Sequence, residues 1–317
     1  MKSLKHLLFL FAVSSYSYAN AGSVIGFTTE GLDYSTLQSK IQNYESKNAQ
    51  QKTDFNTVKN QILSNSEIDI VSIPITAKII DKSIIKMNNA EKDSTYIIFN
   101  YIFYTAVNAF NDSLELKYPQ LLEKFEKGLN DQSTREFKKC LDLCGLSLLS
   151  SEGSYYVDEK DDYYYDLFKG KVTPALNEYL KIRNKEIKQG YSDDADLLIG
   201  FDDLYERVVT WEDFMTQYPD FFLLKDAEFN YTSYLSTLIT GTDNSETFDS
   251  ETQNLYPGIK RLYEKIISHN DGKKSTKVIS DYYELLKRND FKQPDNLDLF
   301  LRANNLISMV GVQPETR

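Results

Sequence analysis

The sequence has 317 residues and a formal net charge of −11 at pH 7, from 47 acidic and 36 basic side chains. A surface of that sign repels nucleic acids and anionic lipids, which argues against both as partners. Aromatic residues make up 13% of the chain, with 23 tyrosines and one tryptophan, and this content argues against an intrinsically disordered protein.

The first 21 residues have the order of a secretory signal peptide. Lys2 and Lys5 form a basic start, residues 7–13 are apolar, and residues 19–21 are the small residues of a cleavage site. The apolar run is shorter than the roughly 20 residues of a membrane span. We expect cleavage after Ala21 and a periplasmic or secreted protein without an integral membrane segment, with an uncleaved anchor as the alternative. Loss of this segment makes the net charge −13, because it contains two lysines and no acidic residue.

Two differently patterned stretches follow. Residues 33–65 carry apolar side chains at spacings of three and four, which predicts one long helix or two short ones packed on the main body. Residues 67–75 are rich in Ile and Val, partly alternating, with Pro74 near the end. Because β-branched residues favour strands and proline favours a strand edge, we expect a short β element at residues 67–75. A helix is expected over residues 77–87, with a continued strand as the alternative.

The most apolar stretch, residues 94–129, predicts a central helical hairpin. Residues 96–110 are apolar or aromatic on almost every side, so a helix there must be buried nearly all round. Ser94 is the expected cap at its start, and a second helical pattern begins after Asn111 and Asp112. The run is too short for a membrane span and contains two asparagines, so a buried core helix is favoured.

The only two cysteines lie on the next predicted helix, which Ser133 and Glu136 begin as a capping box. An exported protein meets an oxidising compartment, so we assign Cys140 and Cys144 a local disulfide. Residues four apart on a helix have Cβ atoms roughly 5–6 Å apart, whereas a disulfide needs about 3.5–4.5 Å. The disulfide therefore requires a distorted helix near Gly145. Buried reduced thiols and redox chemistry are the alternatives.

Residues 151–170 break the helical pattern with serine, glycine, acidic residues and tyrosines. We interpret them as an acidic, tyrosine-rich hinge that is exposed to solvent, in preference to a sugar-binding or acid–base cleft. The predicted organisation is then an N-terminal helical subdomain over residues 22–150 and a C-terminal helical subdomain over residues 171–317.

The C-terminal residues carry helix start and stop signals in series. Thr173 and Pro174 are a cap followed by proline at the first helical position, and Gly190 follows the expected end at Gln189. Separate helices are expected to begin at Ser192 and at Thr210. Further helices are expected over residues 224–240, 257–268, 275–288 and 294–308. The predicted fold class is mainly α: helical hairpins in two packed subdomains.

One short stretch resembles a known repeat. The matching residues are Trp211, Phe214, Tyr218, Pro219 and Ala227. They resemble the helix–Tyr-Pro–helix unit of TPR-like repeats in bacterial envelope proteins, where aromatic residues join two helices and alanine allows their close approach. The resemblance covers about 20 residues, Trp211 to Ala227, without the repeat's period of about 34. A weaker example is Lys117-Tyr118-Pro119-Gln120. The resemblance implies helical hairpins and a partner-binding role.

Residues with obvious catalytic chemistry are scarce. Beyond the signal peptide the only histidine is His269, at an expected helix C-terminus, which argues against His-based catalytic triads and zinc sites. Residues 241–251 place oxygen on alternate residues, but Phe248 and Asn254 stand where a calcium loop needs glycine and glutamate. A capped interhelical loop is preferred there. We expect no catalytic residue, no metal and no cofactor.

Aromatic side chains in the C-terminal half are the candidates for partner binding. The candidate residues are Trp211, Phe214, Tyr218, Phe221 and Phe222. The alternative is that the first three only fill the seam between two helices. Because Phe221 and Phe222 are adjacent, one of them is expected to be an exposed anchor. Acidic neighbours favour a basic partner and salt-sensitive association.

The sequence therefore predicts an exported, non-enzymatic helical protein that binds another macromolecule in the cell envelope or outside the cell. A protein partner is expected, with basic chemistry favoured and nucleic acid disfavoured. One alternative is a His-independent polysaccharide hydrolase or lyase that uses Asp, Glu and Tyr. Another is an exported effector or its neutralising partner.

Overall fold

The computed structural model describes residues 38–39, 68–151, 153–269 and 271–306. The signal peptide and nearly all of the helix expected over residues 33–65 lie outside the described residues. Within them the chain forms eleven α-helices and four short strands, so the predicted mainly α class is confirmed.

The helices lie in both halves of the chain. They are α1 (Ser72–Ser83), α2 (Asn89–Lys117), α3 (Pro119–Glu126), α4 (Gln132–Leu143), α5 (Tyr163–Phe168), α6 (Pro174–Gln189), α7 (Phe201–Gln217), α8 (Leu224–Thr240), α9 (Pro257–His269), α10 (Lys274–Arg288) and α11 (Leu297–Ala303). The strands are β1 (Leu146–Ser151), β2 (Ser154–Glu159), β3 (Ser192–Asp193) and β4 (Asp196–Leu197). They form two antiparallel two-stranded sheets, β1-β2 and β3-β4.

Helix α1 occupies part of the region in which a strand was expected, and the β prediction for residues 67–75 is wrong. The carboxylate of Asp69 accepts hydrogen bonds from the backbone N–H groups of Val71 (2.9 Å) and Ser72 (3.1 Å), which satisfies two amides at the helix start. Pro74 lies in the first turn, where its missing N–H removes no helical hydrogen bond. Ile73 is fully buried, so tertiary burial overrides its strand propensity.

Helix α2 is 29 residues long and carries the largest share of the N-terminal core. It begins before Ser94, because Asn88 and Glu91 form a reciprocal capping box with hydrogen bonds of 3.1 and 3.0 Å. It also continues through Asn111, where a helix boundary was expected, and ends at Lys117 with Tyr118 as its C-cap. The second helix of the predicted hairpin is α3, which Pro119 begins.

Strand β2 and helix α5 occupy most of residues 153–170 and carry buried side chains, so the expectation that this segment is an exposed stretch is wrong. Its role as a hinge between subdomains stays a prediction. Strands β1 and β2 pair from Leu146 opposite Glu159 to Ser151 opposite Ser154. The outer edge of β2 contacts α2, because the Asn111 amide donates to the Val157 carbonyl (2.9 Å) and accepts from the Val157 N–H (2.8 Å).

The tyrosine-rich part of the same segment forms α5. Tyr164 and Phe168 are buried, and their rings lie 5.1 and 5.7 Å from the ring of Phe99 on α2. Aromatic pairs at these separations stabilise a core beyond the area they bury. The tyrosines therefore serve packing here, which the local charge pattern did not reveal.

Helix α4 begins after Asp131, whose carboxylate accepts from the Thr134 N–H at 3.0 Å, so the predicted cap at Ser133 is displaced by two residues. The helix remains regular to Leu143, and Cys140 and Cys144 are fully buried thiols with no disulfide between them. The disulfide prediction is wrong because the helical spacing holds their side chains apart. Burial also raises the pKa of the Cys144 thiol far above its usual range.

The C-terminal half follows its start and stop signals in part. Helix α6 has the predicted bounds, with Thr173 as its cap, and α8 also matches. No separate helix begins at Ser192 or Thr210. Ser192 opens the β3-β4 hairpin, whose turn residues Asp194 and Ala195 have φ of 45° and 57°. Thr210 lies within α7, which is one continuous helix.

The main hydrophobic core draws on both halves of the described chain. One cluster of buried side chains contains residues of α2 and α4 as well as residues of α6 to α10. Helices α7 and α8 pack side by side, with Ala227 fully buried between them. The subdomain boundaries stay a prediction, since both predicted halves contribute to this cluster.

Candidate binding cleft

An open cleft of about 1100 Å³ lies between α2, α6 and the connection from α7 to α8. Helix α2 contributes its face around Asp93, Ile97 and Tyr104, and α6 contributes Tyr179 and Arg183. The third side is residues 217–226, which contain the Tyr-Pro pair of the repeat-like stretch. Long helices thus supply two walls, and a tight turn supplies the third.

The turn from α7 to α8 is set by its sequence. The Tyr218 N–H donates to the Phe214 carbonyl at 2.9 Å, and Pro219 cannot continue the helix. The Phe221 N–H then donates to the Tyr218 carbonyl at 3.1 Å, and α8 begins at Leu224. This turn places two adjacent phenylalanines at the junction of the core and the cleft.

Three of the predicted partner-binding residues belong to the core. Trp211, Phe214 and Phe221 are 0%, 2% and 7% exposed. Their rings lie within 5.3 to 6.1 Å of the ring of Tyr179 on α6. These distances match the alternative in which such aromatics fill the seam between helices.

Phe222 and Tyr218 differ from those three because both are half-buried and line the cleft. The Phe222 ring lies 4.7 Å from the ring of Phe221 and 6.4 Å from that of Tyr96 on α2. The two adjacent phenylalanines therefore differ in environment, as expected: Phe221 is buried in the core, and Phe222 remains accessible from the cleft.

Tyrosines make up much of the deep surface of the cleft. Tyr96 and Tyr179 are 3% and 6% exposed, and burial raises the pKa of each hydroxyl well above its usual range. The Tyr104 hydroxyl accepts a hydrogen bond from Arg183 at 2.7 Å. All three phenols stay protonated at neutral pH, and of the three the partly exposed Tyr104 is the one that a ligand can contact.

A buried ion pair joins the cleft wall to the β1-β2 hairpin. Arg183 Nη1 lies 2.6 Å from Glu159 Oε2, and the guanidinium also lies over the Tyr164 ring at 5.1 Å. Burial raises the pKa of Glu159, while the nearby guanidinium acts in the opposite direction. The positive charge of Arg183 is therefore compensated inside the protein.

Two aspartates line opposite walls of the cleft. Asp93 on α2 accepts hydrogen bonds from the Thr173 hydroxyl at 2.9 and 3.2 Å, and burial raises the pKa of its carboxyl above the usual value. Asp226 on α8 forms no side-chain hydrogen bond or ion pair with the described residues. The Asp226 side chain is exposed at the surface, and partial desolvation by its surroundings raises the pKa of its carboxyl, which the charge of Arg183 partly offsets. Asp220 and Lys225 are exposed at the rim.

A smaller cavity of about 440 Å³ adjoins the cleft and shares Tyr179, Arg183 and Asp226 with it. Phe229, 59% exposed, lines this second cavity. Arg207 also lines it, and its Nη2 donates to the Gly190 carbonyl at 2.6 Å. The two cavities together form a groove along α6 and α8, which we call the α6–α8 groove.

A network on α6 holds the seam beneath the smaller cavity. Glu186 accepts hydrogen bonds from Trp211 Nε1 at 2.8 Å and from the Tyr234 hydroxyl at 3.0 Å. Burial raises the pKa of Glu186, and the nearby Arg207 opposes this. The single tryptophan thus has a structural role in positioning α6 against α7.

Most of the residues of α2 and α6 that line the cleft carry no local sequence signal. They lie about eighty residues from their partners, as in the Thr173–Asp93 and Arg183–Tyr104 contacts. One signal was present on α2, where Asp93 and Asn100 interrupt the apolar pattern on the face that lines the cleft. Expecting α2 to be buried on nearly every side obscured this face.

Residues 68–151, 153–269 and 271–306 contain no cluster of His, Cys, Asp or Glu suited to a metal ion. Among the described helices, none combines the length and apolar character that a membrane crossing requires. No protein-family model matches this chain, and comparison with curated proteins and with solved structures gives no match. The geometry of the cleft is therefore what indicates a binding site.

Proposed function

We propose that this chain is an exported protein that binds another macromolecule through the cleft between α2, α6 and the α7–α8 turn. The observation that carries the proposal is the accessible aromatic surface of the cleft, with Phe222 and Tyr218 half-buried at its edge. Large concave sites with aromatic walls and a few polar groups are typical of binding sites. Residues at such sites, particularly aromatic ones, supply much of the binding free energy.

The TPR-like resemblance supports the same proposal. Residues 211–227 place a Tyr-Pro turn between two packed helices, and that turn forms one wall of the cleft. The proposed location is the periplasm or the exterior of the cell, from the signal-like residues 1–21. Mass spectrometry of the protein from envelope fractions tests the location: a chain beginning at Gly22 is expected, and an intact Met1 contradicts it.

Co-purification from envelope extracts tests the binding function. Wild type and Phe222→Ala are used as baits, with Leu116→Ala as a control, because Leu116 is 85% exposed and does not line the cleft. We expect Leu116→Ala to retain the partners that wild type captures. Phe222→Ala should lose them while its melting temperature falls by only about 2–4 °C. Equal capture by all three baits would exclude Phe222 from the docking surface.

A polysaccharide hydrolase or lyase is a second candidate, favoured by one observation. Asp93 and Asp226 lie in the same cleft, and desolvation raises the pKa of both carboxyls, which is the environment of acid–base groups in enzymes. The test is release of reducing ends from envelope polysaccharides by wild type, Asp93→Asn and Asp226→Asn. Activity that either substitution abolishes in a folded protein favours the enzyme over the binding protein.

A further inference from the structure

The α6–α8 groove has an apolar deep surface and an acidic edge. Tyr96, Tyr179 and Phe221 are almost fully buried beneath it, while Ile97 and Phe222 remain partly accessible. Apolar side chains of a ligand can therefore be covered along the cleft. An extended groove of this kind is the usual receptor for an amphipathic helix or peptide.

The charges of the groove divide into compensated and uncompensated groups. Arg183 is paired with Glu159 at 2.6 Å, and the charge of Arg207 is opposed by that of the nearby Glu186, which also lines the smaller cavity. The other charged side chains lining the cleft are Asp93, Asp220, Asp226 and Lys225. Three carboxylates against one ammonium group leave a negative edge, in a protein that is itself strongly acidic.

Asp226 is at the centre of this edge, because it lines both the cleft and the smaller cavity. Its carboxylate has no hydrogen-bond or ion-pair partner among the described residues. Phe222 lies four residues before it and Phe229 three residues after it, each lining one of the two cavities. A carboxylate between accessible aromatic rings suits a ligand ammonium or guanidinium group.

We propose that the α6–α8 groove binds a basic amphipathic segment of a partner protein, with its apolar side chains in the cleft and a lysine or arginine paired with Asp226. This inference rests on the proposed function and names the chemistry of the partner. The apolar walls explain why the segment must be amphipathic. The acidic edge explains why it must be basic.

The direct test uses a fluorescein-labelled amphipathic peptide of leucine and lysine, with leucine at every third or fourth position. The same peptide with glutamate in place of lysine is the control, and anisotropy with the full mature chain measures binding. We expect binding of the lysine peptide to be at least roughly tenfold tighter, and to weaken as salt is added.

Three variants locate the contact. Asp226→Asn is expected to weaken binding of the lysine peptide roughly five- to tenfold, and Phe222→Ala roughly tenfold. Asp243→Asn is the matched control, because Asp243 is an exposed aspartate that lines neither cavity. It should leave the affinity unchanged. Equal weakening by the two aspartate variants would mean that net charge alone attracts the peptide and would overturn the proposal.

Failure of this inference is distinguishable from failure of the proposed function. Equal affinity for the lysine and glutamate peptides, with capture from extracts still dependent on Phe222, would overturn only the basic chemistry of the partner. Loss of the Phe222 dependence would overturn the docking site itself. A further control places a photoreactive phenylalanine at position 222 and irradiates the protein with excess lysine peptide. A cross-link to this chain instead of to the peptide would show that the chain itself or a second copy occupies the groove. That result would also overturn the proposal.

Discussion

Of the three Tyr-Pro pairs in the chain, Tyr256-Pro257 lies at the start of α9. The other two, Tyr118-Pro119 after α2 and Tyr218-Pro219 after α7, form corners at the end of a helix. Both tyrosines end a helix with nearly the same φ, −127° and −128°. Each tyrosine N–H donates to the carbonyl four residues before it, at 3.0 and 2.9 Å. The same dipeptide therefore ends a helix in the same way at both places.

The corners differ in how the chain continues after the proline and in how deeply the tyrosine is buried. Helix α3 begins at Pro119 itself, whereas α8 begins only at Leu224, after a turn. Tyr118 is 7% exposed, and its ring lies 5.5 Å from that of Phe137 on α4. Tyr218 is half-buried and lines the cleft. The local sequence thus determines where the helix ends. The elements packed around the corner determine whether its tyrosine is buried in the core or exposed at the surface.

The largest expected effect separates the two adjacent phenylalanines of the second corner. Phe221→Ala should lower the free energy of unfolding by about 3–5 kcal/mol, because it truncates a side chain packed on Tyr179 and Phe214. Phe222→Ala should cost only about 1 kcal/mol, since its ring is half-buried. Urea denaturation measures both. Similar losses for the two variants would contradict the different placement of these rings.

Truncation of the two tyrosines tests the comparison directly. Tyr118→Ala should lower the free energy of unfolding by about 3 kcal/mol, because the ring packs on Phe110 and Phe137. Tyr218→Ala should cost about 1 kcal/mol and change ligand binding instead. Urea denaturation curves of the two variants give the two losses of unfolding free energy for comparison. Equal costs would mean that the corners are equally buried in solution.

Alkaline pH provides a smaller effect at the first corner. Burial raises the pKa of Tyr118 to about 12, with the nearby Cys140 adding to the shift. The unfolded chain releases this proton near pH 10, so the contribution of Tyr118 to stability is complete below about pH 10 and is lost as the pH rises towards 12. Wild type should therefore lose stability between pH 8 and pH 11 through this group, whereas Tyr118→Phe should not. The difference in free energy of unfolding between the two proteins should shift by about 1–2 kcal/mol in favour of Tyr118→Phe over that interval. No change in that difference would show that the Tyr118 pKa is ordinary.

The smallest expected effect concerns the thiols near the same corner. Reducing agent should leave the melting temperature of the mature protein unchanged, because no disulfide joins Cys140 and Cys144. The buried thiols should also react with thiol reagents only on unfolding, since burial raises the pKa of Cys144 and hides its sulfur. A lower melting temperature under reducing conditions would restore the disulfide prediction.

Local sequence signals predicted the bounds of some helices. Helix α6 has the expected start and end, because Thr173, Pro174 and Gly190 act on their own backbone. The first residues of α1 were predicted as a strand, since β-branched residues in a buried helix have the same composition as a buried strand, whereas the helix expected over residues 77–87 matches the rest of α1. The β1-β2 hairpin was missed because its serines and charged residues do not alternate in a simple apolar pattern.

The candidate site was predicted only in part for a related reason. Phe222 and Tyr218 share one turn, and their aromatic density was visible in the sequence. Asp93, Tyr104 and Arg183 meet them only through the packing of α2 against α6, which no local spacing specifies. Sequence reasoning therefore identified one wall of the cleft and missed the other two.

Asn111 has a further consequence for the β1-β2 hairpin. At one position its amide replaces the backbone of a neighbouring strand, because it both donates to and accepts from Val157. A two-stranded ribbon otherwise offers its outer edge for pairing with another chain. The helix thus protects the hairpin against edge-to-edge aggregation at this point. Asn111, first interpreted as a helix boundary, satisfies both backbone groups of Val157 at the outer edge of β2.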